Sequence, residues 1–219
     1  MSMWKQKASK GGGGDGEGID RPPPGNHPAV LVAIIDMGTQ DTDFQGKPGK
    51  AHRAYFVWEL VTRKVAGTKG TNHLIGIDLT VSLNENAKLR KWVEARKNKR
   101  MPDGYEYDIS KELGQPCLLN VTLNKREYPV VSGMSAVPDG LSIPGPQRKP
   151  FLWGLDDDTD DLPDWLPWLY GRKIADHIAD CHEKRKGRRS EDEGDAVEGD
   201  GLDDAEPTPG GKEPDEVPF

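Results

Sequence analysis

Cysteine is nearly missing: Cys117 and Cys181 are the whole supply in 219 residues, too few for a disulfide framework. Cys117 sits in an apolar run and reads as a small buried hydrophobe. Long apolar runs are missing as well. No segment approaches the roughly 18 apolar residues of a membrane-spanning helix. The opening MSMWKQKASKGGGG is charged but leads into no apolar stretch, unlike a signal peptide. A soluble, cytoplasmic chain without membrane contact is expected.

The sequence also lacks the usual signatures of chemistry. There is no G-x-x-x-x-G-K-[ST], G-x-S-x-G, H-E-x-x-H or paired C-x-x-C. The GGGGDGEG run follows no strand and opens no helix, so it is not a phosphate loop. His177, Cys181 and His182 have ligand chemistry at helical spacing, but no second cluster completes a tetrahedral zinc site. Asp156, Asp158 and Asp160 fit positions one, three and five of a calcium loop. Asp161 then stands where Gly is needed and Pro167 where a bidentate Glu is needed. With no catalytic constellation, metal site or cofactor site, a non-enzyme is expected.

What is present is an uneven charge distribution. Residues 190–219 hold twelve acidic side chains and one basic, Lys212, for a net −11. The overall charge is −7, so residues 1–189 are net +4. A basic body with an acidic appendage is implied. Gly (26) and Pro (18) concentrate outside the apolar stretches, which leaves part of the chain unable to build a core. Residues 1–28 read as a flexible Gly/Pro-rich leader, 29–150 as the folded domain, 151–189 as an Asp-rich segment with a short amphipathic helix, and 190–219 as a disordered tail.

Residues 29–38, AVLVAIIDMG, form an apolar β-branched run that predicts a strand buried on both faces. The next ten residues are turn formers. In KAHRAYFVWEL (50–60), Ala54, Phe56, Trp58 and Leu60 make an apolar face, while Arg53, Tyr55, Val57 and Glu59 make a mixed, solvent-facing one. A third strand alternates Ile75, Ile77, Leu79, Val81 and Leu83 against Gly76, Asp78, Thr80 and Ser82. Residues 84–100 change to helical period, with Asn84 as cap and Leu89, Trp92 and Val93 inward. DISKELG (108–114) predicts a second short helix stopped by Gly114.

Two further strands, PCLLNVTLNKR and EYPVVSGMSAVP, follow with a link short enough for a hairpin. A last helix is expected from Pro163, with Trp165, Leu166, Leu169, Ile174 and Ile178 on its apolar side and Gly171 as an interruption. It most simply packs back on the domain or on a second subunit. The fold expected is mainly β: a five-stranded, OB-fold-like Greek-key barrel with a helix between strands three and four, plus disordered termini. An α+β roll of the same element order is the alternative.

Holding single-stranded nucleic acid without sequence preference needs cations along the phosphates and flat rings under the bases. In an OB barrel the groove runs across the second and third strands, between the loops joining strands one–two and four–five. Lys47, Lys50, Arg53, Tyr55, Lys125, Arg126 and Tyr128 fall on or beside that groove, with Phe44 in the first loop. Arg63 and Lys64 join the candidate nucleic-acid contacts from the loop after the second strand, outside the groove. Phe56, Trp58 and Trp92 are assigned to the core.

The sequence ends in DEVPF. Asp215, Glu216, Val217, Pro218 and Phe219 would offer acidic side chains, a ring for an apolar slot and a carboxylate for a neighbouring cation. This ending resembles the acidic Pro-Phe tip through which bacterial single-stranded DNA-binding proteins recruit replication and repair enzymes. A longer stretch, PPPGNHPAVLVAIIDMGTQ with FVWEL, TVSLNENAKLRKWVEA and LGQPCLLNV, resembles a family of bacteriophage-encoded OB-fold single-stranded DNA binders, over roughly residues 22–138 and on into LPDWLPWL. The resemblance implies sequence-independent single-stranded DNA binding in phage replication, recombination or repair, inside an infected bacterial host. It also implies replication or recombination proteins as partners at the tip. The acidic linker departs from the bacterial proteins, so neither their tetrameric state nor their stacking positions carry over, and a homo-oligomer is left open. A non-enzymatic protein adaptor and an RNA-binding barrel are the competing readings.

Overall fold

The computed structural model describes residues 20–44 and 46–185. Most of the leader, the acidic stretch from residue 190 and the five tip residues Asp215, Glu216, Val217, Pro218 and Phe219 lie outside the described residues. The apolar run begins a strand of 20 residues, β1 (Gly25–Phe44), longer than expected at both ends. It turns at Gly46 into β2 (Lys47–Lys64), so the supposed turn formers extend a hairpin arm. β3 (Asn72–Thr80), α1 (Lys88–Lys97), a 3-10 turn at Ile109–Glu112, β4 (Pro116–Leu123) and β5 (Pro129–Ser135) follow. The described chain then adds β6 (Phe151–Trp153) and α2 (Ile174–Ala179).

The protein is mainly β, a six-stranded sheet ordered β3-β2-β1-β4-β5 with β6 on a free part of the β1 edge. All pairings are antiparallel except the parallel β1–β6 pair. β4 takes the edge from Gly25 to Val30 and β6 takes it from Ala33 to Ile35. A closed five-stranded barrel was expected, but the sheet is open: β3 and β5 approach within 8 Å between α-carbons, with no ladder joining them. Among the described residues no helix is long and apolar enough to cross a membrane.

Two apolar layers lie on opposite faces of the sheet. The inner one gathers Leu31, Ile34, Phe56, Trp58, Leu79, Leu119 and Val121 under Leu89, Trp92 and Val93 of α1. This bears out the core assignment of Phe56, Trp58 and Trp92, and Cys117 is fully buried beside them. The outer layer joins Val32, Ala33, Ile35, Tyr55 and Val57 to Trp153, Leu169, Ile174 and Ile178. β1 serves both layers through a bulge between Leu31 and Ala33, which shifts inward-facing positions from odd to even numbers. Burial on both sides explains its unbroken apolar run.

Local chemistry moved several boundaries. Asn84 does not cap α1. Its side chain accepts from the Asn86 amide, and the helix starts after Ala87 without a side-chain cap. The second helix is only a 3-10 turn, capped by Asp108 accepting from the Ser110 amide; Gly114 follows at φ +77°. The helix expected from Pro163 exists only at Ile174–Ala179, because Tyr170 (φ +51°) and Gly171 (φ +80°) break the chain. As expected, it packs back on the domain.

Candidate nucleic-acid interface

The second-strand face assigned to nucleic acid is covered by the chain itself. Tyr55 is 1% exposed, so it cannot stack on a base. Its ring lies under residues 151–178, and its hydroxyl donates to the Pro167 carbonyl at 3.3 Å. Burial pushes the phenol pKa up, with the Asp78 carboxylate adding to the shift. Arg53 forms an ion pair with the buried Asp78 and donates to its carbonyl at 3.1 Å. Tyr170 from the covering segment donates to the same carboxylate at 2.8 Å. A mixed polar–apolar alternation resembles a solvent-facing strand, but here it matches a second layer of the same chain.

Three anchors hold this covering strap. At its start, the buried Glu59 carboxylate accepts from the Gln147 amide (2.7 Å), the Arg148 amide (3.1 Å), the Arg148 guanidinium (3.2 Å) and Asn72. Burial opposes ionisation, but these donors outweigh it and lower the pKa. The Asp78–Tyr170 contact is the middle anchor. At the far end Glu183 accepts from the Thr39 amide (2.9 Å) and hydroxyl (2.6 Å), while His182 and Arg185 bind Asp41 at 2.6 and 2.9 Å. Gly38 permits this closeness, since a β-carbon there would meet Cys181 Sγ at 2.9 Å.

The remaining candidates fall at two ends of β1 rather than in one groove. Lys47 and Lys50 are exposed on the hairpin arm, opposite Phe44 and Asp41 in the register. Arg63, Lys64, Lys125, Arg126 and Tyr128 lie at the other end, where Gly25 pairs with Val121. Arg63 reaches His27 Nδ1 at 3.4 Å and Lys64 donates to Asn72. Asn124 builds the β4–β5 turn: its side chain accepts from the Arg126 amide (2.9 Å) and the Tyr128 amide (3.0 Å). Lys125 and Arg126 are thereby held out in solvent, and Tyr128 is 49% exposed.

Sequence reasoning missed Arg21, whose guanidinium lies 4.1 Å from the centre of the Tyr128 ring. It sits directly before three prolines, and that context reads as leader. The result is a basic rim at this end of the sheet. Arg21 stacks on the half-exposed Tyr128 ring, and Lys125 and Arg126 stand in the same turn. Arg63 and Lys64 lie farther across the sheet beside His27 and Asn72. Glu127 is exposed within it, while Asp20 is held by His73 at 3.1 Å. An open cavity of about 490 Å³ between β1, β2 and β6 is rimmed instead by Asp36, Asp108 and Asp157, which repel phosphate. Among the described residues no group of three or more His, Cys, Asp or Glu could hold a metal ion. No protein-family model matches the chain, and neither a curated protein nor a solved structure does.

Proposed function

We propose that this is a non-enzymatic, sequence-independent single-stranded DNA-binding protein of bacteriophage type, acting in DNA replication, recombination or repair. The observation that carries this reading is the Arg21–Tyr128 rim. A half-exposed ring stacked by Arg21, with Lys125 and Arg126 exposed in the same turn, offers what an unpaired strand needs, a stacking surface and phosphate partners. The strand path supports it. Reading β3-β2-β1-β4-β5 with α1 between β3 and β4 follows an OB barrel whose closing β3–β5 ladder is not made.

The acidic stretch completes the reading. Arg185, the last described residue, holds Asp41, whose register partner is Lys50. The net −11 of residues 190–219 makes a polyanion that competes with DNA for the cations of the body. The tip residues Asp215–Phe219 recruit replication or recombination proteins. An adaptor role finds support in Trp168, 65% exposed on the strap.

Titration of the full chain with oligo-dT at two salt concentrations, beside a duplex control, tests the proposal. Tight oligo-dT binding that weakens steeply with salt and ignores duplex is expected. Absence of binding at low salt would leave the adaptor reading in its place, and a strong preference for oligo-U would favour RNA.

A further inference from the structure

α1 and the segment after it carry a basic surface that the rim does not include. Residues 88–100 hold seven basic side chains and one acidic, Glu94. Arg90 is paired with Glu94 at 2.9 Å, and Arg96 forms a two-point ion pair with the buried Glu112. Lys88, Lys91, Lys97, Lys99 and Arg100 are left exposed. Beside them Lys97 Nζ lies 3.9 Å above the Tyr107 ring, and Tyr105 stacks on Tyr107 with centroids 6.3 Å apart and planes 24° apart. Tyr105 is 51% exposed, so it has ring surface to offer. Asp103 and Glu106 are the exposed carboxylates nearest in sequence.

The position of this surface matters. α1 lies against the β3 and β5 strands. Its Leu89, Trp92 and Val93 line one cavity with Leu79, Met134 and Gln115, near the ends of β3 and β5 and just before β4. The 124–128 turn lies at the opposite end of the β4–β5 hairpin, which runs from Leu118↔Ser135 to Leu123↔Pro129. That separation is about 20 Å at ~3.3 Å per residue. Neither β4 (PCLLNVTL) nor β5 (PVVSGMS) contains a charged residue, and Thr122, Ser132 and Ser135 are exposed along the way. The covered β2–β3 face, in contrast, lies under a strap with six aspartates in residues 156–164.

We propose that Lys97, Lys99, Arg100 and Tyr105 form a second contact for single-stranded nucleic acid, reached by a strand that is anchored at the Arg21–Tyr128 rim and crosses β4–β5. This rests on the proposed function and deepens it, placing the path along the solvent-facing side of β4–β5, beside the β2–β3 half that the strap covers. A span of this size fits the ~4–16 nucleotides that one OB fold occupies.

The test uses the full chain, wild type, K97Q/K99Q/R100Q and Y105A, titrated with oligo-dT of graded length at two salt concentrations. Wild-type affinity should rise with length until both contacts are bridged. Both variants should match wild type on the shortest oligomers and lose at least about fivefold on the long ones. The triple variant should also lower the long-oligomer salt slope by about 2. Variants indistinguishable from wild type at every length overturn the second contact while leaving the rim and the proposed function standing. Equal losses at all lengths overturn the two-contact path. Tighter binding of short oligomers by the triple variant means α1 was holding the acidic stretch, and also overturns it. Wild type that binds no oligo-dT defeats the proposed function first and this inference with it.

Discussion

The Tyr55 ring lies directly on Gly76 of the neighbouring strand, where a β-carbon would overlap the phenol. Gly76 is the absence that lets a large ring bury itself flat across β2 and β3. Substituting Gly76→Ala should therefore cost about 1–3 kcal/mol through overpacking, read as a lower midpoint in urea. Tyr55→Phe removes only the hydrogen bond to Pro167 and should cost about 1 kcal/mol. Neither change should alter oligo-dT affinity of the folded protein. A specific loss of binding in Tyr55→Phe would return this face to the interface.

Glu59 shows what alternation could and could not reveal. The inner layer was legible, because Ala54, Phe56, Trp58 and Leu60 recur at strand period and do face the core. Element order and the β4–β5 hairpin were legible for the same reason. The outer layer was not. Its partners lie some ninety residues downstream, and Glu59, Asp78 and Arg53 look like ordinary surface charges until Arg148 and Tyr170 arrive. Gly76 in a strand was the one available hint, since a strand glycine often marks a close approach. Arg21 was hidden by the prolines after it, and the split between Lys47/Lys50 and the other cations followed from the unforeseen length of β1.

Glu59→Ala should loosen the strap at its origin. It leaves the Gln147 and Arg148 amides and the Asn72 side chain without their acceptor. A loss of about 3 kcal/mol is expected from breaking this buried pair. Limited proteolysis between residues 136 and 150 should accelerate with it, and unchanged cleavage would show that Glu59 does not hold the strap.

Acid should release the other end of the strap. Burial pushes the Glu183 carboxyl up, but the hydrogen bonds from Thr39 prevail and lower its pKa from 4.5 to about 2. Hydrogen bonds from Arg185 and then His182 likewise bring Asp41 from 3.8 to about 2. Both folded pKa values are depressed, so their contribution is complete above pH 4.5 and disappears as pH falls toward 2. Cys181, buried against Gly38, should then become reactive to an acid-active disulfide reagent across that window, with Cys117 still protected. Simultaneous labelling of both thiols would indicate global unfolding instead.

The rim predicts separable effects of ring and charge. Tyr128→Ala should weaken oligo-dT binding by about 1–3 kcal/mol with an unaltered salt slope. Lys125→Ala and Arg126→Ala should each reduce the slope by about 0.7. Because both side chains point into solvent from a turn built by Asn124, their removal should leave thermal stability within about 0.5 kcal/mol. Equal salt slopes in all three variants would place the phosphate path elsewhere.

The acidic stretch should act in opposite directions on DNA and on protein partners. Deleting residues 190–219 removes a net −11 that competes with DNA for cations, so oligo-dT binding should tighten at low salt and converge with wild type as salt rises. Phe219→Ala removes one ring and no side-chain charge, so DNA affinity should stay level while the proposed partner proteins are lost from a pull-down. If truncation weakens DNA binding, the stretch contributes to the interface rather than competing with it. If the Phe219 variant still retains the same partners, the ring is not what they grip, and the negative charge of residues 190–216 becomes the feature to remove next.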